Sequence, residues 1–245
     1  AIDVFYTNSE GYLITPEVLP YGEYSLVEVQ APYGYALDKT PVAFSVSSEN
    51  AEKENSLTIV KVEKQNTAQK GKISVRKTGD IFTSVNMASS AYTDENGELV
   101  VNSTTYTPVF ADGDLSGAVF QVIAVEDIVT LDGTTRAYAG DVVAEITTDE
   151  NGYAETEPLY LGKYEVREIK APDGYVLNNE PKDVELTYAG QEFEVRDTVN
   201  TAFENEYQSV RISLPKVMEN DELFEIYGKD YYTSVRFGLF AAEDI

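Results

Sequence analysis

With 43 acidic residues against 18 basic ones among 245, the chain carries a formal charge of −25 at pH 7, a field that repels phosphate backbones and anionic membranes. It contains neither cysteine nor histidine, which excludes disulfides, thiolate metal sites and the commonest general base. Yet 42% of its residues are hydrophobic and 11% aromatic, too many for a chain that stays unfolded, and no apolar run approaches the roughly 18 residues of a membrane-spanning helix.

Tyrosine, Phe, Val, Ile and Thr are frequent and no stretch sustains apolar residues at helical spacing, so the sequence predicts an all-β protein. The first informative element is residues 19–37, LPYGEYSLVEVQAPYGYAL, where strand alternation places Tyr24, Leu26 and Glu28 on one face. Residues 62–67 follow as a polar segment containing Asn66. Next comes a strand in which Ile73, Val75 and Lys77 share a face, so that it ends by aiming an ammonium inward.

Residues 81–115 read as an insertion, and Asn96-Gly97 within it predicts a hairpin turn, as Asn151-Gly152 does later. Asp112-Gly113-Asp114 and the two Asp-Glu-Asn-Gly turns carry oxygen ligands, but none completes a calcium loop with its terminal Glu, so no metal or cofactor is expected. Residues 159–177, LYLGKYEVREIKAPDGYVL, then repeat the first element with the frame LxxGxYxxxExxAPxGYxL, and Tyr164, Val166 and Glu168 share a face as their counterparts do.

Two further blocks recur. Residues 71–77 match 210–216, placing Lys77 and Lys216 139 positions apart, and residues 120–128 match 237–245 at the shorter offset of 117. The repeats predict tandem immunoglobulin-like sandwiches cut out of phase. Residues 1–66 would be the C-terminal half of one domain, 67–207 a complete domain with its insertion near 81–115, and 208–245 the N-terminal half of a third.

A lysine and a glutamate aimed into a dry core have a chemical consequence. Burial lowers the pKa of an amine and raises that of a carboxylic acid, so the pair tends toward a neutral, nucleophilic amine beside a neutral acid. An Asn carboxamide polarised by that acid would accept the amine, release ammonia and leave an amide bond between strands. Asn66 precedes Lys77 by 11 residues and Asn205 precedes Lys216 by 11; Asn200 is the rival to Asn205 but lacks that spacing.

The GxYxxxExxAPxGY block, present twice, together with the first-strand lysines resembles the Cna-B or SpaA-type domains of Gram-positive pilins and adhesins. The resemblance implies an extracellular, cell-wall or pilus location and Lys–Asn isopeptide bonds assisted by a Glu. In the complete domain it implies Lys77 as nucleophile, Asn205 as acceptor and Glu168 as proton shuttle. Glu28 and Asn66 would belong to a leading site whose lysine precedes residue 1, and Lys216 to a trailing one.

The expected function is therefore structural: a stalk or fibre segment, with no catalytic residues and no turnover. The alternative is an adhesin module recognising a host matrix protein or glycan, with the 81–115 insertion as its ligand surface. Expected partners are the neighbouring domains of the same chain; nucleic acid and membrane insertion are not expected. A window from a longer chain accounts for the half-domains most simply. Alternatively, the tail of one copy would complete the head of the next, with Lys216 facing Asn66 in a filament.

Overall fold

A computed structural model describes residues 3–47, 49, 52–54, 57–215 and 237–238. Lys216 and most of the expected third domain, 208–245, lie outside the described residues. The chain divides into one compact unit of residues 1–207 and a second of 208–245, in which residues 208–215 are exposed and carry no strand.

Among the described residues every regular element is a strand. The leading segment holds β1 (Gly22–Leu26) paired with β2 (Val42–Val46), and β3 (Glu52–Glu54) paired with β4 (Leu57–Ile59). There follow β5 (Lys70–Gly71), β6 (Ile73–Thr93), β7 (Leu99–Asp114), β8 (Val119–Ala124), β9 (Ile128–Val129), β10 (Thr135–Ala137) and β11 (Val142–Thr147). The described strands end with β12 (Tyr153–Glu155), β13 (Leu159–Tyr160), β14 (Gly162–Lys170), β15 (Lys182–Leu186) and β16 (Val199–Asn205).

Two sheets form the sandwich. One runs β11-β8-β14-β15; the other runs β12-β6-β16, with β7 added to β6. Strands β5–β13 and β9–β10 make short two-stranded flanks. The last described strand, β16, lies parallel to β6, setting Phe203 opposite Lys77 and Asn205 opposite Gly79.

Alternation explains the core, because each strand has one dry face. On β8, Phe120, Val122 and Ala124 are buried, and on β14 so are Tyr164 and Val166. They meet Ile73, Val75 and Phe203 of the opposite sheet, where the rings of Phe120 and Phe203 lie 4.8 Å apart between centroids. The Tyr164 hydroxyl donates to the Tyr160 carbonyl at 2.6 Å, and burial raises its pKa to about 12. In the leading segment Tyr24 repeats that bond, to Pro20 O at 2.8 Å.

The residue 81–115 insertion is a protruding hairpin. From Ile81 onward β6 leaves the sandwich with β7 along it, and the Asn96-Gly97 turn closes the tip as expected, with Gly97 N donating to Asp94 O. Its root is pinned where Tyr175 OH donates to Asp80 O at 2.6 Å and the rings of Phe82, Phe110, Tyr207 and Tyr175 follow one another in contact.

The second Asn-Gly turn differs from its expectation. It does not close a hairpin, because β11 pairs with β8 while β12 pairs with β6, so residues 149–152 form a corner between the two sheets. Gly152 has φ +66°, and its carbonyl accepts from Lys77 N at 2.7 Å. A Cβ there would fall 2.3 Å from Lys77 O.

Gln69 joins the leading segment to the sandwich. Its amide nitrogen donates to Gly190 O at 2.7 Å and Phe193 O at 2.8 Å, its side-chain oxygen accepts from Ala189 N at 2.8 Å, and its backbone donates to Gly34 O at 2.8 Å. Gln191 bonds back to Ala31 and Leu37, and Tyr33 packs on Tyr188.

Candidate cross-link site

Three chain-distant strands converge on one buried amine. Lys77 sits on β6 after Ile73 and Val75, so strand alternation carries its side chain inward, and it is fully buried. Asn205, at the end of β16, enters from the same sheet, while Glu168, on the inward face of β14 beyond Tyr164 and Val166, enters from the opposite one.

Lys77 Nζ donates to Asn205 Oδ1 at 2.5 Å, and Asn205 Nδ2 donates to Glu168 Oε1 at 3.0 Å. That same carboxylate oxygen stands 3.8 Å from Lys77 Nζ. The other oxygen, Oε2, accepts from the backbone N–H of Asn178 at 2.8 Å, which fixes the carboxylate from behind. Desolvation is the largest influence on the amine and brings its pKa down to about 8, with the nearby Glu168 charge opposing it.

Asn200 does not reach the amine. It lies opposite Ser74 in the β6–β16 register, and its Oδ1 accepts from Ser74 Oγ at 2.6 Å. Asn178 was not anticipated, because the contribution comes from its backbone and leaves no mark in residue type.

The leading segment contains the same acid and amide in half-buried form. Asn66 Nδ2 donates to both oxygens of Glu28, at 2.8 and 2.7 Å, and Asp38 N donates to Glu28 Oε2 at 3.1 Å, matching the Asn178 contact. Asn66 Nδ2 also reaches Ala36 O at 3.1 Å. The residues carrying Asn66 form no regular strand, in keeping with the polarity of residues 62–67.

A proton has a short route through this group. Glu168 Oε1 faces both the amine that would lose a proton and the amide nitrogen that would leave with one. The carboxamide carbon is one bond from the oxygen that Nζ already touches.

Comparison with known proteins places these features. A family model described as "SpaA: Prealbumin-like fold domain" matches residues 1–61 and 109–201. The trypsin-resistant surface T6 protein of Streptococcus pyogenes is 27% identical over 144 residues, 59% of this chain but 22% of that protein, so the chain spans under a quarter of this relative's length. Among solved structures, the Bacillus anthracis TIE protein aligns at 24% identity over 83% of this chain and 28% of its own, with a TM-score of 0.47. A minor pilin of Streptococcus agalactiae aligns at 18% identity over 87% of this chain and 70% of its own, with a TM-score of 0.33. The repeated frame, the all-β fold and the family match over more than half the sequence agree, and the chain belongs to the SpaA prealbumin-like fold domains, a non-enzymatic family of Gram-positive pilins and surface proteins.

Proposed function

We propose that this chain is a segment of a Gram-positive surface stalk or fibre, in which Lys77 and Asn205 become joined by an isopeptide bond with Glu168 moving the protons. The observation that carries the reading is a fully buried amine 2.5 Å from a carboxamide that is itself hydrogen-bonded to a buried acid. The family and the relative described as a surface protein support a cell-surface location.

In the reaction, the lone pair of the neutral Lys77 amine attacks the Asn205 carboxamide carbon, and the attacking nitrogen passes one proton to Glu168 Oε1. The C–Nδ2 bond then breaks, Glu168 returns the proton to the leaving nitrogen, and one ammonia departs as the new amide forms. The Lys77 amine and the Asn205 carboxamide are consumed while Glu168 recovers its starting state, so the step occurs once per domain.

The recurrence of an acid gripping an Asn carboxamide at Glu28 and Asn66 supports assigning residues 1–66 to a second domain of the same design. The 139-residue offset supports a third beginning near 208, with Lys216 in the position of Lys77.

Intact mass spectrometry tests the proposal. The chain should weigh one ammonia less than its sequence, and fragmentation should find the Lys77 and Asn205 peptides joined. Glu168→Gln and Asn205→Ala should restore the full mass. An unmodified wild-type mass would remove the cross-link and leave a sandwich with a buried ion pair.

A further inference from the structure

A quarter of the chain's residues are charged, yet residues 81–93 and 99–111, the two arms of the protruding hairpin, contain no charged residue at all. The hairpin is nonetheless exposed, with Val85, Met87, Tyr92 and Tyr106 all open to solvent. Past Asp80, and among the described residues, the strand paired with β6 is β7 alone, so β6 presents an outer edge. Exposed edges are ordinarily blunted with charge or proline. Here β7 carries Pro108, which pairs with Val85 without a backbone N–H to donate, whereas β6 carries neither device.

We propose that the outer edge of β6 is a self-association surface, pairing antiparallel with β6 of a second copy about a two-fold axis at Met87. In that register Val85 faces Ser89 of the other copy, Asn86 faces Ala88, and the two Met87 residues face each other. The result is a four-stranded sheet with one apolar face, since Val85 and Met87 lie opposite Pro108 and Tyr106 within each hairpin.

Electrostatics selects this occupant. Two bodies of charge −25 repel wherever their acidic surfaces meet, and the uncharged hairpin is the place where copies can touch. At about 3.3 Å per residue the exposed arm reaches roughly 40 Å. That separation is several times the Debye length of about 8 Å at physiological salt, so the bodies are screened from one another. Register shifts between Phe82 and Ser84, where the extra residue is on β6, and between Ser90 and Ala91, where it is on β7, bend the hairpin on either side and confine the regular pairing to the neutral centre. The acidic tip of each hairpin, with Asp94, Glu95 and Glu98, points toward the acidic root of its neighbour, so added salt should strengthen the association.

Sedimentation of the 245-residue chain should show a concentration-dependent dimer that tightens between low and physiological salt. Met87→Lys should weaken it tenfold or more while preserving the far-ultraviolet circular dichroism. Because the chain has no cysteine, single replacements report contacts cleanly. Facing residues in an antiparallel pair stand about 4.5–5.5 Å apart between Cα atoms, within disulfide reach. Mild oxidation should therefore dimerise Met87→Cys, whereas Tyr106→Cys, on the outer strand β7 and two strands removed from its counterpart, should stay monomeric. A chain that remains monomeric at every concentration and salt overturns the proposal, and so does dimerisation of Tyr106→Cys in place of Met87→Cys.

Discussion

Lys77 and Asn205 are 128 residues apart in the chain, yet the amine nitrogen of one stands 2.5 Å from the carboxamide oxygen of the other. The parallel pairing of β6 with β16 brings them together, and a bond between them would close nearly the whole sandwich into a loop. Chain-entropy arithmetic developed for disulfides gives about 4–5 kcal/mol for a loop of this length. Lys77→Met keeps the apolar stem and removes the nucleophile, so it should lower unfolding stability in urea by about 4 kcal/mol. It should also alter migration on denaturing gels, and an unchanged midpoint would deny the bond any part in stability.

Asn205→Ala removes the acceptor but leaves the buried amine, which makes pH a probe of its burial. The folded pKa of Lys77 is about 8, against an ordinary 10.5. Between those values the unfolded chain binds more protons than the folded one, so stability must rise with pH across this window and stay flat below it. The full span is worth on the order of 3 kcal/mol. Urea titrations at pH 7 and pH 10 should show the rise in Asn205→Ala but not in the double variant that also carries Lys77→Met. Equal slopes in the two would mean that the amine is hydrated.

Gly152 matters through its backbone. With φ at +66° and a substituent Cβ only 2.3 Å from Lys77 O, Gly152→Ala would combine an unfavourable conformation with a direct clash beside the nucleophile. A destabilisation of about 2–3 kcal/mol is expected. The fraction of chains retaining the full, unreacted mass should increase, because the strand carrying Lys77 is displaced. Wild-type stability in this variant would contradict the close approach.

Gln69 satisfies two carbonyls and one N–H at a junction that shields it almost completely from water, with 1% of its surface exposed. Gln69→Ala orphans all three groups and should cost about 3 kcal/mol in urea unfolding. Gln69→Glu, which retains the acceptor but loses both donors and adds charge, should be no better. Recovery of wild-type stability in Gln69→Glu would show that the donated bonds contribute little.

The sequence signals that proved legible were those governed by strand alternation. Ile73, Val75 and Lys77 read as one inward face, as did Tyr164, Val166 and Glu168, and the structure buries all six. Spacing distinguished Asn205 from Asn200, which bonds Ser74 instead. Pairing partners were less legible, because they depend on which sheet a strand joins. Asn96-Gly97 closes a hairpin while Asn151-Gly152, with the same residues, turns a corner between sheets. The role of Gln69 was also hidden. A lone Gln produces no periodic pattern, and its meaning lies in contacts made far along the chain.

The parallel arrangement of β6 and β16 has a mechanical corollary. Were Lys77 and Asn205 joined as proposed, tension arriving along β5 and the start of β6 would cross directly to the end of β16, and residues 78–204 would form a slack bypass. The hairpin rooted at Asp80 hangs on that bypass. A protease that nicks its tip, or a mutation that lengthens it, would then leave the covalent path from β5 to the end of β16 unbroken.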